Sequence, residues 1–263
     1  MNAISTFIKR YPLLIFFILA YALSWWSVPV LGGPLPYGPM LAAIIVLALT
    51  TGKAGLKELF SQMTRWRVGW KWYLIAPGIV IAFNAGAAGL NLLLGAQISP
   101  SYVPVSGAIL LEAAIVALLL GMWEEPGWTG YALPHLSAGR SLLLTTLILA
   151  VFRTMWHSPL FLDGNIPWSD IVLIIAAQIF ISWLYYRTNH SLLIVMLLHY
   201  TSNFFGETGV LSLFEGGASV QYDWLRTGLA CLIALGIIIF DRRLWFNRTP
   251  VQPEVVVEPV PGV

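Results

Sequence analysis

Charge is scarce in this chain. Asp, Glu, Lys and Arg make up 10% of its 263 residues, where soluble domains carry about a quarter. So few charges cannot coat a solvated surface. The 58% hydrophobic content and the mean hydropathy of +0.79 point to lipid instead, and the chain reads as an integral membrane protein. A net charge of +2 gives no argument for a nucleic-acid partner. Cysteine is reduced to Cys231, inside the apolar run 228–240, which excludes a disulfide framework and reads as helix filler. Apolar runs take up most of the chain and leave no room for a sizeable soluble domain.

These runs predict an all-α, polytopic transmembrane helix bundle of about eight spans. Lys9 and Arg10 precede the run 13–30, which lacks a convincing small-residue cleavage site and is expected to be an uncleaved first span. The run 38–51 is short for a span, since about 20 residues are usual, and its Pro-rich start is expected to dip into the bilayer. Residues 53–71 gather Lys53, Lys57, Arg65, Arg67 and Lys71, while Leu56, Leu59, Phe60, Met63 and Trp66 recur at helical spacing. That pattern predicts an amphipathic helix on the cytoplasmic face. Further spans are predicted at 72–94 (broken by Pro77), 107–136, 141–161, 170–186, 191–205 and 224–240.

Lys and Arg fall almost wholly in alternate loops, so both termini are expected in the cytoplasm of a multi-pass cell-membrane protein. The organisation expected is 1–104 for the N-terminal helices, 105–207 for a catalytic core, 208–246 for the last helix and 247–263 for a disordered tail.

The adjacent Glu124 and Glu125 end the apolar run 108–122 and are followed by Pro126-Gly127. A carboxylate at the centre of a membrane helix costs roughly 2.5–3.5 kcal/mol on insertion scales and persists where it faces a wet cavity or a partner. The bland alternative is an interfacial cap with both side chains snorkelling to the headgroups. Arg153, His157, His199 and Asn203 also fall within predicted spans, and His199 and Asn203, four apart, share a helix face. Glu124 lies 16 residues before Arg140 and His157 lies 17 after it. At ~1.5 Å per residue the two reach about the same depth on antiparallel helices, with His199 nearer the cytoplasmic face. Glu124, His157, His199 and Asn203 can therefore converge on one chamber, the inventory for activating water and stabilising an oxyanion.

These segments resemble the CPBP or Abi family of intramembrane endopeptidases, which includes the type II CAAX prenyl proteases and bacteriocin-immunity proteins. The stretch Glu124-Glu125-Pro126-Gly127-Trp128-Thr129-Gly130 is similar to its first motif, two glutamates and then an arginine four after the second. Trp156-His157-Ser158-Pro159 is similar to its second motif, and His199-Tyr200-Thr201-Ser202-Asn203 to its third. The resemblance covers roughly 105–207 and implies that Glu124 and His157 activate the attacking water while His199 and Asn203 steady the oxyanion. Helix neighbours diverge by about 100°, which separates the tasks of the two glutamates. The family's arginine would pair with Glu125, marking Glu125 as structural and Glu124 as the base.

The sequence departs from the family at two positions. Position 129 is Thr and position 153 is Arg where the family usually has an aromatic residue. By the same depth count Thr129 and Arg153 lie level on adjacent helices, so Arg153 is expected to replace the missing arginine and neutralise Glu125.

The leading reading is an intramembrane endopeptidase that cuts a peptide or lipoprotein substrate near the cytoplasmic leaflet. Its rivals are a catalytically silent immunity or scaffold protein with a decayed motif, and a proton-coupled transporter. The transporter reading lacks an internal repeat and paired broken helices. No metal is favoured, because no His-Glu-x-x-His segment is present. If zinc were used, Glu124, His157 and His199 would hold it.

Overall fold

The computed structural model describes residues 3–208 and 212–247, so the expected tail, apart from Asn247, lies outside the described residues. The described residues form helices joined by short turns. Five helical stretches are long and apolar enough to cross a membrane: Pro12–Leu31, Lys71–Leu93, Gly107–Ser137, Asp170–Arg187 and Gly216–Phe240. Three shorter apolar helices, Gly38–Thr50, Leu142–Trp156 and Leu192–Gly206, complete the bundle.

The principal helices are α1 (Pro12–Trp25), α2 (Gly38–Thr50), α3 (Lys53–Met63), α4 (Lys71–Leu93) and α5 (Gly107–Val116). They continue as α6 (Leu142–Trp156), α7 (Asp170–Arg187), α8 (Leu192–Glu207) and α9 (Gly216–Phe240). Serine starts three of them. Ser106, Ser141 and Ser191 each accept a hydrogen bond from the backbone N–H three residues on, satisfying a donor that a helix start otherwise leaves bare.

Helix α1 packs on α2, α4 lies between α8 and α9, and α7 bridges α6 and α9. Small residues let these helices approach closely. Ala20, Ala42 and Ala43 are fully buried in the paired helices α1 and α2, and Ala87 and Ala230 are fully buried in α4 and α9. In lipid, close packing and hydrogen bonds rather than water exclusion hold helices together. Leucines at 111, 118, 119, 232 and 235 remain exposed on the outside of the bundle, where hydrocarbon is their solvent.

Helix α3 buries Leu59 and Gln62. Gln62 accepts a hydrogen bond from Tyr185 of α7 at 2.8 Å, which pins the amphipathic segment to the bundle. Trp66 follows the end of α3 and is exposed.

Besides the break of the expected span 141–161 at His157, three expected boundaries change. Helix α4 runs unbroken through Pro77: only the bond to the Tyr73 carbonyl is lost, and α8 and α9 brace the helix. The last helix starts at Gly216 rather than 224, because Asp223 has Arg226 one turn on and Tyr222 buries its ring against Phe214. The third change falls at the glutamates. The expected single helix 107–136 is α5, a π-helical segment Ala117–Gly121, a tight turn at 122–125, a second π-helical segment Pro126–Ala132 and a short α-helix Leu133–Ser137.

Candidate active site

The two π-helical segments place Glu124 and Glu125 in the turn between them, and such wide turns recur at functional sites. Pro126 has no N–H to give to the carbonyl of Gly121, five residues earlier. Asn203 of α8 fills that gap, its Nδ2 donating to Gly121 O at 2.6 Å. A side chain at position 121 would collide with Asn203, with a Cβ only 2.5 Å from its Nδ2. The missing side chain and the missing N–H together bring α8 against the glutamate turn.

Glu125 is fully buried and surrounded by donors. Arg153 Nη2 from α6 donates to its Oε1. His199 Nδ1 from α8 lies 2.6 Å from the same oxygen, and Thr129 Oγ1 donates to Oε2 at 2.6 Å. Arg153 is itself buried and spends Nη1 on Gln178 of α7, 2.9 Å away. Burying an ion pair is tolerable when such extra hydrogen bonds satisfy its remaining donors and lone pairs.

Glu124 is 5% exposed and in a different situation. The polar contact of its carboxylate among the described residues is Arg153 Nη2 at 3.5 Å. It lines a cavity of about 490 Å³ together with His157, His199, Asn203 and Arg153. The four candidate catalytic side chains therefore share one chamber, while Glu125 and Thr129 stand behind it.

Both histidines are oriented through Nδ1. His157 caps the C-terminus of α6, and its Nδ1 is 2.8 Å from the Arg153 carbonyl. A carbonyl only accepts, so this Nδ1 carries a proton, and in the neutral imidazole Nε2 keeps a lone pair. Tyr21 and Trp25 of α1 donate to the carbonyls of Phe152 and Trp156 at 2.6 and 3.0 Å, fixing the end of α6 that presents His157. In His199 the carboxylate of Glu125 holds Nδ1, leaving Nε2 as the ring nitrogen without that partner. Chemically, the chamber offers one carboxylate held only at long range, two oriented imidazoles and an amide.

Among the described residues no three of His, Cys, Asp and Glu gather closely enough to hold a metal ion.

Sequence reasoning passed over Gln178 and Ser202. Gln178 is fully buried and holds Arg153; Ser202 lines the chamber. The signal for Gln178 was available, since a glutamine mid-way along an apolar helix is as costly in lipid as the residues that were singled out. Ser202 gives no such signal, being a serine near a helix end.

Residues 106–205 match the family model described as type II CAAX prenyl endopeptidase, Rce1-like. A curated protein, CAAX prenyl protease 2 of Methanococcus maripaludis, is 24% identical over 195 residues, 67% of this chain. The match spans 66% of that relative's own length. The matched segment takes in every polar side chain that lines the chamber, from the glutamate turn to Asn203. The helices that carry the site's polar side chains are thus similar to those of the Rce1-like type II CAAX prenyl endopeptidase family model.

Proposed function

We propose that this protein is an intramembrane endopeptidase in which Glu124 and His157 activate a water molecule against a peptide carbonyl. The observation that carries the reading is the unequal treatment of the two glutamates. Arg153, His199 and Thr129 hold Glu125, whereas Glu124 faces the chamber with one long contact. Two carboxylates face one arginine, so a proton taken up by Glu124 would leave the cluster neutral in a medium that penalises net charge. That makes Glu124 the carboxylate suited to receive the proton of the attacking water.

In the proposed sequence the water oxygen bonds to the carbonyl carbon as its proton passes to Glu124, with His157 Nε2 accepting a hydrogen bond from the same water. The negative charge develops on the former carbonyl oxygen. His199 Nε2, when protonated, and the second N–H of Asn203 Nδ2 are the available donors there. The proton on Glu124 then passes to the amide nitrogen, the C–N bond breaks, and the new carboxylic acid gives the water's second proton to the amine, so that a carboxylate and an ammonium leave.

Val116, Leu120, Leu173, Ile174 and Leu198 wall the chamber, so the substrate is a peptide or lipoprotein segment that is apolar near its scissile bond. The curated relative's name extends this to bonds next to a lipidated residue. Purified protein incubated with a library of apolar and prenylated peptides tests the reading. Mass spectrometry should find paired fragments whose masses sum to substrate plus one water. Intact peptides after many hours with well-folded protein would favour the silent-homologue reading.

A further inference from the structure

The two ends of the bundle differ in charge, and the loop residues that line the chamber come from only one of them. One end gathers the basic loop from Lys53 to Lys71 with Arg140, Arg187, Arg242 and Arg243. Contacts tie these turns together. Arg65 Nη1 donates to the carbonyl of Asn189 at 2.6 Å, Ser191 Oγ donates to the carbonyl of Arg65 at 2.6 Å, and Arg187 pairs with Asp241. The short helices Ala3–Arg10 and Arg242–Phe246 lead into and out of the bundle at this same end.

The opposite end is built from residues 26–37, 94–106, 157–170 and 212–216. Ser99 N–H donates to the Leu213 carbonyl at 3.0 Å, and Asn165 Nδ2 reaches the Gly32 carbonyl at 3.5 Å. Asp163 and Glu215 are exposed there. Among the described residues these four segments contain no Lys or Arg. The arginines beside these segments are buried and paired, Arg226 with Asp170 and Asp223 and Arg153 with Glu125.

The chamber takes its loop residues from this second end: Gly33, Pro34, Pro36, Leu160, Ile166 and Asp170. Nothing from 51–71, 137–141, 187–191 or 241–247 lines it. Lys and Arg in short loops mark the cytoplasmic side. The sequence-based expectations of cytoplasmic termini and a cut near the cytoplasmic leaflet therefore exclude one another, because the helices Ala3–Arg10 and Arg242–Phe246 and the loops lining the chamber lie at opposite ends. The charge pattern retains the first.

We propose that the chamber opens on the non-cytoplasmic face and receives a peptide segment presented from that side, with apolar residues entering between α5, α7 and α8. The side follows from charge and packing. Only the nature of the occupant rests on the peptidase reading. A cytosolic chain end could not reach Glu124 without crossing the basic end of the bundle.

Accessibility to a membrane-impermeant maleimide decides the side. In a Cys231→Ala background, Asp163→Cys and Gly33→Cys report on the mouth, and Lys57→Cys reports on the basic end. A Cβ at Gly33 meets only Leu160, at 3.5 Å, so the site has room. In spheroplasts the two mouth cysteines should be modified before lysis and Lys57→Cys only after it. The reverse order overturns the proposal. If Gly33→Cys protein fails to accumulate, the exposed pair Asp163→Cys and Lys57→Cys decides alone. Labelling reads topology whether or not anything is cleaved. Outward labelling without cleavage would refute the peptidase reading alone, and cleavage with inward labelling would refute this one alone.

Discussion

Arg153 occupies a position where it answers two carboxylates at once, and it is the residue whose loss should be felt most widely. Arg153→Leu leaves Glu125 buried without its cation, and breaking a buried pair in this way costs about 3–5 kcal/mol. The variant should lose both thermal stability in detergent and activity. Adding Thr129→Arg returns a cation to Glu125's own helix, four residues on, and should restore part of both. A double variant no better than Arg153→Leu alone would detach Arg153 from Glu125. Asn203→Ala and His199→Ala should differ from each other. Asn203→Ala removes the proposed oxyanion donor, an expected loss of about 100- to 1000-fold in turnover, and bares only the Gly121 carbonyl. His199→Ala also strips a hydrogen bond from fully buried Glu125, so it should lower the melting temperature further. Equal melting temperatures with a rise confined to KM would place both residues in substrate binding instead.

The Arg153–Glu125 contact was legible because depth on antiparallel helices is a matter of counting residues from a shared turn. The contact of His199 with Glu125 was not. It depends on the rotation of α8 about its own axis, which is set by the approach of Asn203 to Gly121 and by π-helical winding that no periodicity signals. For the same reason Asn203 reads from its motif as an oxyanion donor, while its backbone-capping task at Gly121 becomes visible only once the turn is built.

At the scale of elements, close approaches to the glutamate turn set its position. A Cβ at Gly127 would lie 2.3 Å from the backbone of Pro39, so Gly127→Ala must push α2 away from the second π-helical segment. Overpacking of this kind costs about 1–3 kcal/mol, and the melting temperature should fall. Gly78→Ala meets nothing within 4 Å and lies inside α4. It should leave the melting temperature unchanged or raise it, since alanine is the better helix former by about 0.8–1.0 kcal/mol. Equal behaviour of the two variants would remove the close approach from the account.

The turn between α7 and α8 supplies a pH dependence. Asn189 and His190 both take left-handed backbone conformations there. Burial against Tyr185 and Tyr186, with Arg65 nearby, pushes the His190 imidazole below its ordinary 6.5, and Glu58 only partly offsets this. The unfolded chain then binds more protons than the folded one below about pH 6.5, so stability should fall as pH falls through that value. His190→Asn, which tolerates the left-handed conformation, should flatten the melting temperature between pH 7 and 5. An unchanged slope would assign the dependence to other groups. Helix existence and type were legible from apolar runs, but the serine caps, the unbroken passage through Pro77 and the early start of α9 depend on local partners.

At the scale of the molecule, apolar composition and alternating basic loops were sufficient to outline a helical membrane bundle. They did not locate the mouth of the chamber. Charge assigns sides to loops, whereas the mouth depends on which loops leave a gap between α5, α7 and α8. The central claim is that Glu124, rather than Glu125, takes the proton of the attacking water. Single-turnover cleavage of a labelled peptide by purified protein, compared with Glu124→Gln at matched melting temperature, tests it most directly. Glu124→Gln keeps shape and hydrogen bonding but cannot accept the proton, so it should bind peptide with near-normal affinity and release no fragment. Cleavage at the wild-type rate by Glu124→Gln would contradict the account.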